Sequence, residues 1–374
     1  MKISLILYSL FLLAFVGFSY LFIDPNLIYL NKIYTGFAFN YRTAVSILYV
    51  ALVSVSFVFY FYFLKKAAFS NLKKVIFISI IALFFSYPAV LSYDIFNYVF
   101  TSKVLFYYHE NPYIIMPIEF INDPLLLFTH AANKVALYGP FWILLTGIPH
   151  YLSLNNFILT LFNFKILAIL FYLGICLSIA RITKDPSRTA FFALNPLVLI
   201  ETILSGHNDV VMMFFALLSI YFLTKHKVIL SIILIIASIL IKYASIFLLP
   251  VFIYYFFLKA RKKKINLDIL FMLSSVLMFA IFFLSPLRGE IYPWYAIWFI
   301  VFVSLIPKYQ LLNYVTILLS YVLLLRYVPF MYLGTYFAPT PLIKVSVTFV
   351  PLVILVGFYI FTNRKVISKN LKLM

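Results

Sequence analysis

The fold class this sequence predicts is an all-α polytopic membrane protein, and three observations predict it. Hydrophobic residues fill 66% of the 374 positions, charged residues only 10%, and the mean hydropathy is +1.10, which leaves too little polar surface to clothe a soluble domain. Apolar runs near the ~20 residues that cross a bilayer recur along the chain. The cations lie in short clusters between those runs, as the positive-inside bias requires. The surplus of 29 Lys+Arg over 10 Asp+Glu, a net charge of +19, would suggest nucleic acid in a soluble chain; here topology explains it, and no nucleic-acid partner is expected. The single cysteine, Cys176, sits inside an apolar run and excludes a disulfide framework.

Each element follows from the same reading. Ile3 to Phe22 lacks a small-x-small cleavage site and reads as a first span rather than a signal peptide. Thr43 to Leu64 is the second, and Lys65, Lys66, Lys73 and Lys74 after it mark a cytoplasmic loop. Val75 to Leu91 then runs outward and delivers Asp94 to the external side. Ser92 to Asn133 forms a loop of roughly 40 residues, well beyond the ~12 to 15 at which structureless loops become uncommon. Its segments Ile95 to Tyr108 and Pro124 to Leu137 are expected as amphipathic helices at the membrane interface, within an external loop over 92–136.

Tyr138-Gly139-Pro140-Phe141-Trp142 breaks the chain, and residues 137–153 are expected to re-enter the bilayer without crossing. Further spans are expected over Phe157 to Ala180, Ala190 to Leu204, Val210 to Leu223, Val228 to Ile241, Ser245 to Leu258, Leu267 to Leu284, Tyr295 to Ile306, Leu311 to Leu325 and Leu342 to Phe361. With both termini inside, the clusters Arg181/Lys184/Arg188, Lys225/Lys227, Lys259 with Arg261 to Lys264, Lys308 and the tail Arg364 to Lys372 all face the cytoplasm. The result is a single integral membrane domain over 1–374, a bundle of about 12 spans.

That topology sends Asp24, Asp94, Glu110, Glu119, Asp123, Glu201, Asp209 and Glu290 to the external side. Acidic residues contribute little to orientation, so the one-sidedness needs another cause, such as chemistry or ligand binding. Asp94 lies about one helical turn beyond the emerging third span; it is either a helix cap or the floor of an active site. ETILSGHND, Glu201 to Asp209, gathers Glu201, His207, Asn208 and Asp209 at one turn. Turn-forming preference accounts for Asn208 and Asp209, but not for Glu201 and His207. No second His or Cys stands at zinc-ligand spacing, a divalent metal held by carboxylates is the weaker alternative, and no metal or cofactor is expected.

Lys242 interrupts a long apolar run, where a charge is by default a functional hypothesis; alternatively it marks an external turn and snorkels. PLRGEIYPWYAIW offers Arg288 and Glu290 beside aromatics that also suit a membrane belt. Lys165 and Arg326, near span ends, read as snorkelling cations.

SYDIFNYVFTSKVLFYYHENPY, YGPFW, NPLVLIETILSGHND, LIKYASIFLLP and YPWYAIW, in this order, resemble the motif series of polyprenol-phosphate-dependent mannosyltransferases of the GT-C superfamily. The nearest groups are prokaryotic alpha-mannosyltransferases and glycosyltransferase family 87. The resemblance covers Ser92 to Trp298 and implies a plasma-membrane glycosyltransferase with a lipid-linked sugar donor and a catalytic acid in the first large external loop. Here that acid is Asp94, with Tyr93 and Asn97 beside it and no adjacent second acid.

The chemistry such an enzyme requires fits these residues. A polyprenyl-phosphate sugar carries its own leaving group, so the protein must stabilise phosphate charge, activate an acceptor hydroxyl and exclude water. Asp94 is the expected general base, and Lys242, Arg288 and His207 the expected phosphate ligands. Tyr93, Asn97, Asn111, Tyr113, Tyr138, Glu201, Asn208, Asp209, Trp294 and Tyr295 are expected to line the sugar and acceptor sites. The acceptor would be a glycolipid or glycan at the membrane lipids, whose hydroxyl displaces the lipid phosphate from the sugar's anomeric carbon with inversion. A transporter or flippase without chemistry is the competing class, since polar intramembrane residues also mark transport paths. Such carriers are often built from internal repeats, and no convincing repeat stands out in this sequence.

Overall fold

A computed structural model of the chain describes residues 2–27, 36–287 and 289–363, and every regular element among them is helical. Seven helices are long and apolar enough to cross a membrane: Ile3–Phe22, Arg42–Lys65, Phe157–Thr183, Tyr243–Ala260, Leu267–Leu287, Gln310–Leu333 and Thr340–Thr362. An eighth is formed if the pair Pro186–Ala193 and Pro196–Leu204, bent by 51°, is one broken span.

Of the expected twelve spans, seven or eight have the length and composition to cross by themselves, and further apolar helices are shorter. The physical reason is that an apolar run signals apolar surroundings, and a protein interior supplies these as well as lipid does. Helix Asp209–Thr224 is buried on most of its surface, and every residue of Ile297–Val303 is buried. Val228–Ile239, at 12 residues, is likewise short of a bilayer.

Capping chemistry sets the breaks. Asn156 accepts from the Leu159 amide at 3.0 Å to open Phe157–Thr183, and Asn266 accepts from Asp268 N at 2.9 Å to open Leu267–Leu284. Asn195 caps Leu197 N at 3.0 Å ahead of Pro196, and its amide nitrogen reaches Ser320 Oγ at 2.9 Å. The helix bend is thereby pinned to a neighbouring span.

The first long loop departs from expectation. Asp94–Phe106 is a helix buried on most of its circumference, through Ile95, Phe96, Tyr98, Val99, Phe100, Thr101, Ser102 and Val104, rather than lying amphipathic at an interface. Pro124 to Leu137 is not a helix: only Pro124–Phe128 forms a 3-10 turn, which ends at Thr129 in extended conformation. The loop is instead tied by Asp123, which takes Lys103 Nζ at 2.6 Å, Tyr108 Oη at 2.7 Å and Leu125 N at 2.9 Å. Asp123 is thus a structural hub, and Glu119, accepting from Met116 N at 2.8 Å, caps a turn. Residues 137–153 contain two six-residue helices, Pro140–Leu145 and Gly147–Leu152, each too short to cross.

The polar contacts separate the bundle into two ends. At one, Lys308 pairs with Asp268 at 2.9 Å, Arg188 Nη1 donates to Leu305 O at 3.0 Å, and His226 meets Tyr255 Oη at 2.9 Å. At the other, the elements carrying Asp94, Glu201, Asp209, Lys242, Glu290 and Arg326 converge.

Candidate active site

Asp94 opens its helix immediately after a segment that the buried Lys165 holds in place. Lys165 Nζ donates to the carbonyls of Leu83, Phe84 and Ser86 at 2.9, 2.7 and 2.8 Å, and to Ser86 Oγ at 3.0 Å. Four oxygens offset the desolvation of one ammonium. The snorkelling expected of Lys165 is therefore wrong, because its charge points into protein and closes the end of helix Phe69–Phe84. Arg326 does not snorkel either. It is buried, donating to Glu290 Oε1 at 2.9 Å and Thr348 Oγ1 at 2.8 Å, while Lys344 shares the same Glu290 oxygen at 2.9 Å.

The ETILSGHND stretch begins in a π-helical turn, Leu199–Leu204, an irregularity frequent at functional sites. It carries Glu201 inward. Gly206, at φ +75°, then reverses the chain through the left-handed region, where a side chain would be strained. The reversal brings His207 back onto Glu201, with Nδ1 3.1 Å from Glu201 Oε2 and 3.0 Å from the Glu201 carbonyl. Tyr327 Oη donates to the other Glu201 oxygen at 3.0 Å.

The far ring nitrogen of His207 is the centre of the site. Nε2 is buried, has no hydrogen-bond partner among the described residues and lies 4.0 Å from Asp94 Oδ2. The ring is stacked on Trp294 at 4.0 Å between centroids, and Trp294 on Tyr292 at 4.7 Å. Burial would lower the imidazole pKa, but the bonded Glu201 carboxylate, with Asp94 and Asp209 nearby, outweighs it and leaves the pKa raised. Burial also pushes the Asp94 carboxyl above its ordinary range, against the pull of His207 and Lys242.

Lys242 occupies the break between Val228–Ile239 and the turn Tyr243–Leu248. Its ammonium takes both oxygens of the fully buried Asp209, at 2.9 and 3.0 Å, and lies 4.6 Å over the Tyr295 ring. Trp298 Nε1 donates to Asp209 as well, at 2.5 Å. Gly139 makes room for this corner. Its amide donates to Ile241 O at 3.1 Å, and a Cβ there would stand 2.1 Å from the Leu240 carbonyl oxygen. That close approach sets Tyr138 beside the site, where Asn97 lies next to both Tyr138 and Asp94.

The structure thus gathers Asp94, Asn97, Tyr138, Glu201, His207, Asn208, Asp209, Lys242, Trp294 and Tyr295. Asn208 accepts from Tyr98 Oη at 3.3 Å, and its own amide nitrogen is buried without a partner among the described residues. Tyr93 adjoins the cluster but stacks on His130 at 3.8 Å. Asn111 does not join: it is exposed and closes a local turn onto Tyr113 N at 2.9 Å. Tyr113 acts at one remove, donating to the Tyr138 carbonyl at 2.8 Å. Arg288 lies outside the described residues. Tyr98, Trp298 and Tyr327 were not singled out as site residues; aromatics are so common here that a single hydroxyl or indole donor carries no sequence signal.

The chain matches the model of the MptA_B family, described as alpha-(1->6)-mannopyranosyltransferase, N-terminal domain, over residues 10–258. It belongs to this family. The match takes in the second span and the first from residue 10, which the motif resemblance left out, and ends before Glu290, Trp294, Tyr295 and Arg326. The MptA_B chain is accordingly a membrane mannosyltransferase, and part of the polar cluster lies beyond the matched residues. Searches of curated proteins and of solved structures found no match. Among the described residues no group of three or more His, Cys, Asp or Glu side chains could hold a metal ion.

Proposed function

We propose that this mannosyltransferase is of GT-C type and moves mannose, with inversion, from a polyprenyl-phosphate donor to an acceptor hydroxyl on the non-cytoplasmic face. The observation that carries the reading is the placement of Asp94 Oδ2 beside the unpartnered Nε2 of His207, 4.0 Å apart at one face of the site. A raised carboxylate pKa makes Asp94 a stronger base for the acceptor hydroxyl. A His207 ring held by Glu201 presents an N–H to the departing phosphate. Lys242 adds positive charge from behind, and such preorganised donors stabilise developing charge without reorganisation.

Trp294, Tyr292 and Tyr138 wall this face and limit water. Asp209, held by Lys242 and Trp298, and Glu201, facing His207 and Tyr327, act on the sugar through Lys242 and His207. Arg288 keeps its phosphate role on sequence grounds alone.

Orientation rests on charge. Lys65, Lys184, Arg188, Lys225, Lys259 and Lys308 end or follow helices at the pole opposite Asp94, which supports that pole as cytoplasmic and the site as external in a plasma membrane. The shorter apolar helices Asp209–Thr224, Val228–Ile239 and Pro293–Val303, added to the seven or eight longer ones, favour a count near twelve, with both termini inside and a dip over 137–153.

Incubation of the detergent-solubilised protein with radiolabelled polyprenyl-phosphate mannose and a mannose-terminated glycolipid tests the reading. Label is expected on the acceptor with the anomeric configuration inverted. Label that stays on the donor would overturn it, as for a flippase.

A further inference from the structure

The Glu201 carboxylate is wholly buried, and two side chains reach it. Tyr327 Oη donates to Oε1 at 3.0 Å, and His207 Nδ1 stands 3.1 Å from Oε2. No Lys or Arg pairs with it among the described residues, so His207 is the base that balances its charge. We propose that Tyr327 is a positioning residue for the transfer: by holding Glu201 it keeps His207 in its charged form, with one N–H fixed at Nδ1 and the other, at Nε2, turned to the donor phosphate. This rests on the transfer reading above.

The proton positions follow from the acceptors. Nδ1 lies 3.0 Å from the Glu201 carbonyl oxygen, which can only accept, so Nδ1 carries a proton. A neutral ring would then present a bare lone pair at Nε2, 4.0 Å from the Asp94 carboxylate, and would have no hydrogen to offer a phosphate. Only the imidazolium has an N–H there. Tyr327 Oη and Nδ1–H face one Glu201 oxygen each, which leaves neither open to a proton of its own. The carboxylate stays charged, and so does the ring beside it.

Tyr327 is set in place by distant parts of the chain. It joins helix Gln310–Leu325 to helix Val328–Leu333, and Tyr49 of the second span packs edge-on against it at 6.5 Å while donating to Leu324 O at 3.1 Å. It lies beyond the matched residues 10–258, so the C-terminal part of the chain orients a group of the matched domain. The other groups near the ring are Asp94, Asp209 with its paired Lys242, and the uncharged Trp294. Lys165 passes Gly206 but directs its ammonium to backbone carbonyls. None of these touches Nδ1.

Tyr327→Phe in the full chain removes the hydroxyl and keeps the ring. With polyprenyl-phosphate mannose as donor, kcat is expected to fall ~10-fold with both KM values within about 2-fold of wild type, since the hydroxyl touches neither substrate. The alkaline limb of the kcat profile is expected to move to lower pH, because a carboxylate no longer held lets the imidazolium lose its proton sooner. Glu201→Gln, which removes the charge itself, should move it further, by about one pH unit. Unchanged kcat in Tyr327→Phe, or a fall with the limb in place, would overturn the proposal, the second result marking a merely structural contact.

Nitrogen NMR of isotope-labelled histidine in the detergent-solubilised protein needs no substrate and separates the two readings. The His207 signals, identified by their loss in His207→Gln, are expected to show the proton on Nδ1 once the ring loses its charge at high pH. A proton on Nε2 instead would overturn the proposal in wild type alone. If Tyr327→Phe lowers the pH at which His207 loses its charge, yet no label leaves polyprenyl-phosphate mannose, the positioning role stands and the donor reading falls. If label moves but His207 titrates alike in wild type and Tyr327→Phe, the positioning role falls and the transfer reading stands.

Discussion

The two ends of the bundle use the same residue types in opposite ways. At the cationic end Lys308 and Asp268 pair at 2.9 Å with their side chains 52% and 50% exposed. At the other end the carboxylates of Glu201 and Asp209 are fully buried, held by His207 and Lys242. An exposed pair is worth about 0 to 1 kcal/mol and needs no purpose beyond solubility and orientation. A buried pair starts from a desolvation cost of several kcal/mol and is weak support for a fold. The difference marks where the chain sacrifices easy packing, and that end is where we propose the transfer site.

The contrast can be broken by substitution. Asp209→Ala strips the Lys242 ammonium of its buried partner and is expected to cost about 3 to 5 kcal/mol in denaturant unfolding, with transfer lost. Lys165→Met leaves the carbonyls of Leu83, Phe84 and Ser86 without their donor. A loss of about 1 to 3 kcal/mol is expected, and a fall in kcat larger than the change in donor KM, because the segment before Asp94 loosens. His207→Gln is expected to lower kcat ~100-fold if the ring donates to the leaving phosphate. Lys308→Met, at the other end, should move stability by less than about 1 kcal/mol and leave transfer intact.

Acidity sharpens the same comparison. Asp94 must be ionised to act as base, so activity falls as pH drops through its raised pKa, at higher pH than the ordinary value of 3.8 would give. His207 is raised above 6.5, so its contribution to stability is complete below pH 6.5 and is lost as pH rises through the folded value. Melting of the wild type should therefore weaken over that window, and His207→Gln should flatten the slope.

Much of this arrangement was legible in the sequence. Asp94, ETILSGHND and Lys242 stood out because polar groups inside apolar runs need a reason, and the structure brings them together. The one-sided carboxylates misled in part, since Asp123 and Glu119 hold loop structure. Span count was not legible, because burial against protein and burial in lipid select the same residues. Nor was the fate of Lys165, whose partners are backbone carbonyls about 80 residues away in the chain and leave no pattern of their own.

One measurement tests the division of labour between the ends most directly. Asp94→Asn and Asp268→Asn, each purified and matched to wild type in melting temperature, are assayed for mannose transfer from polyprenyl-phosphate mannose. Asp94→Asn is expected to lose at least ~1,000-fold in kcat with donor binding retained, while Asp268→Asn keeps wild-type rates. Near-normal transfer by Asp94→Asn would contradict the account.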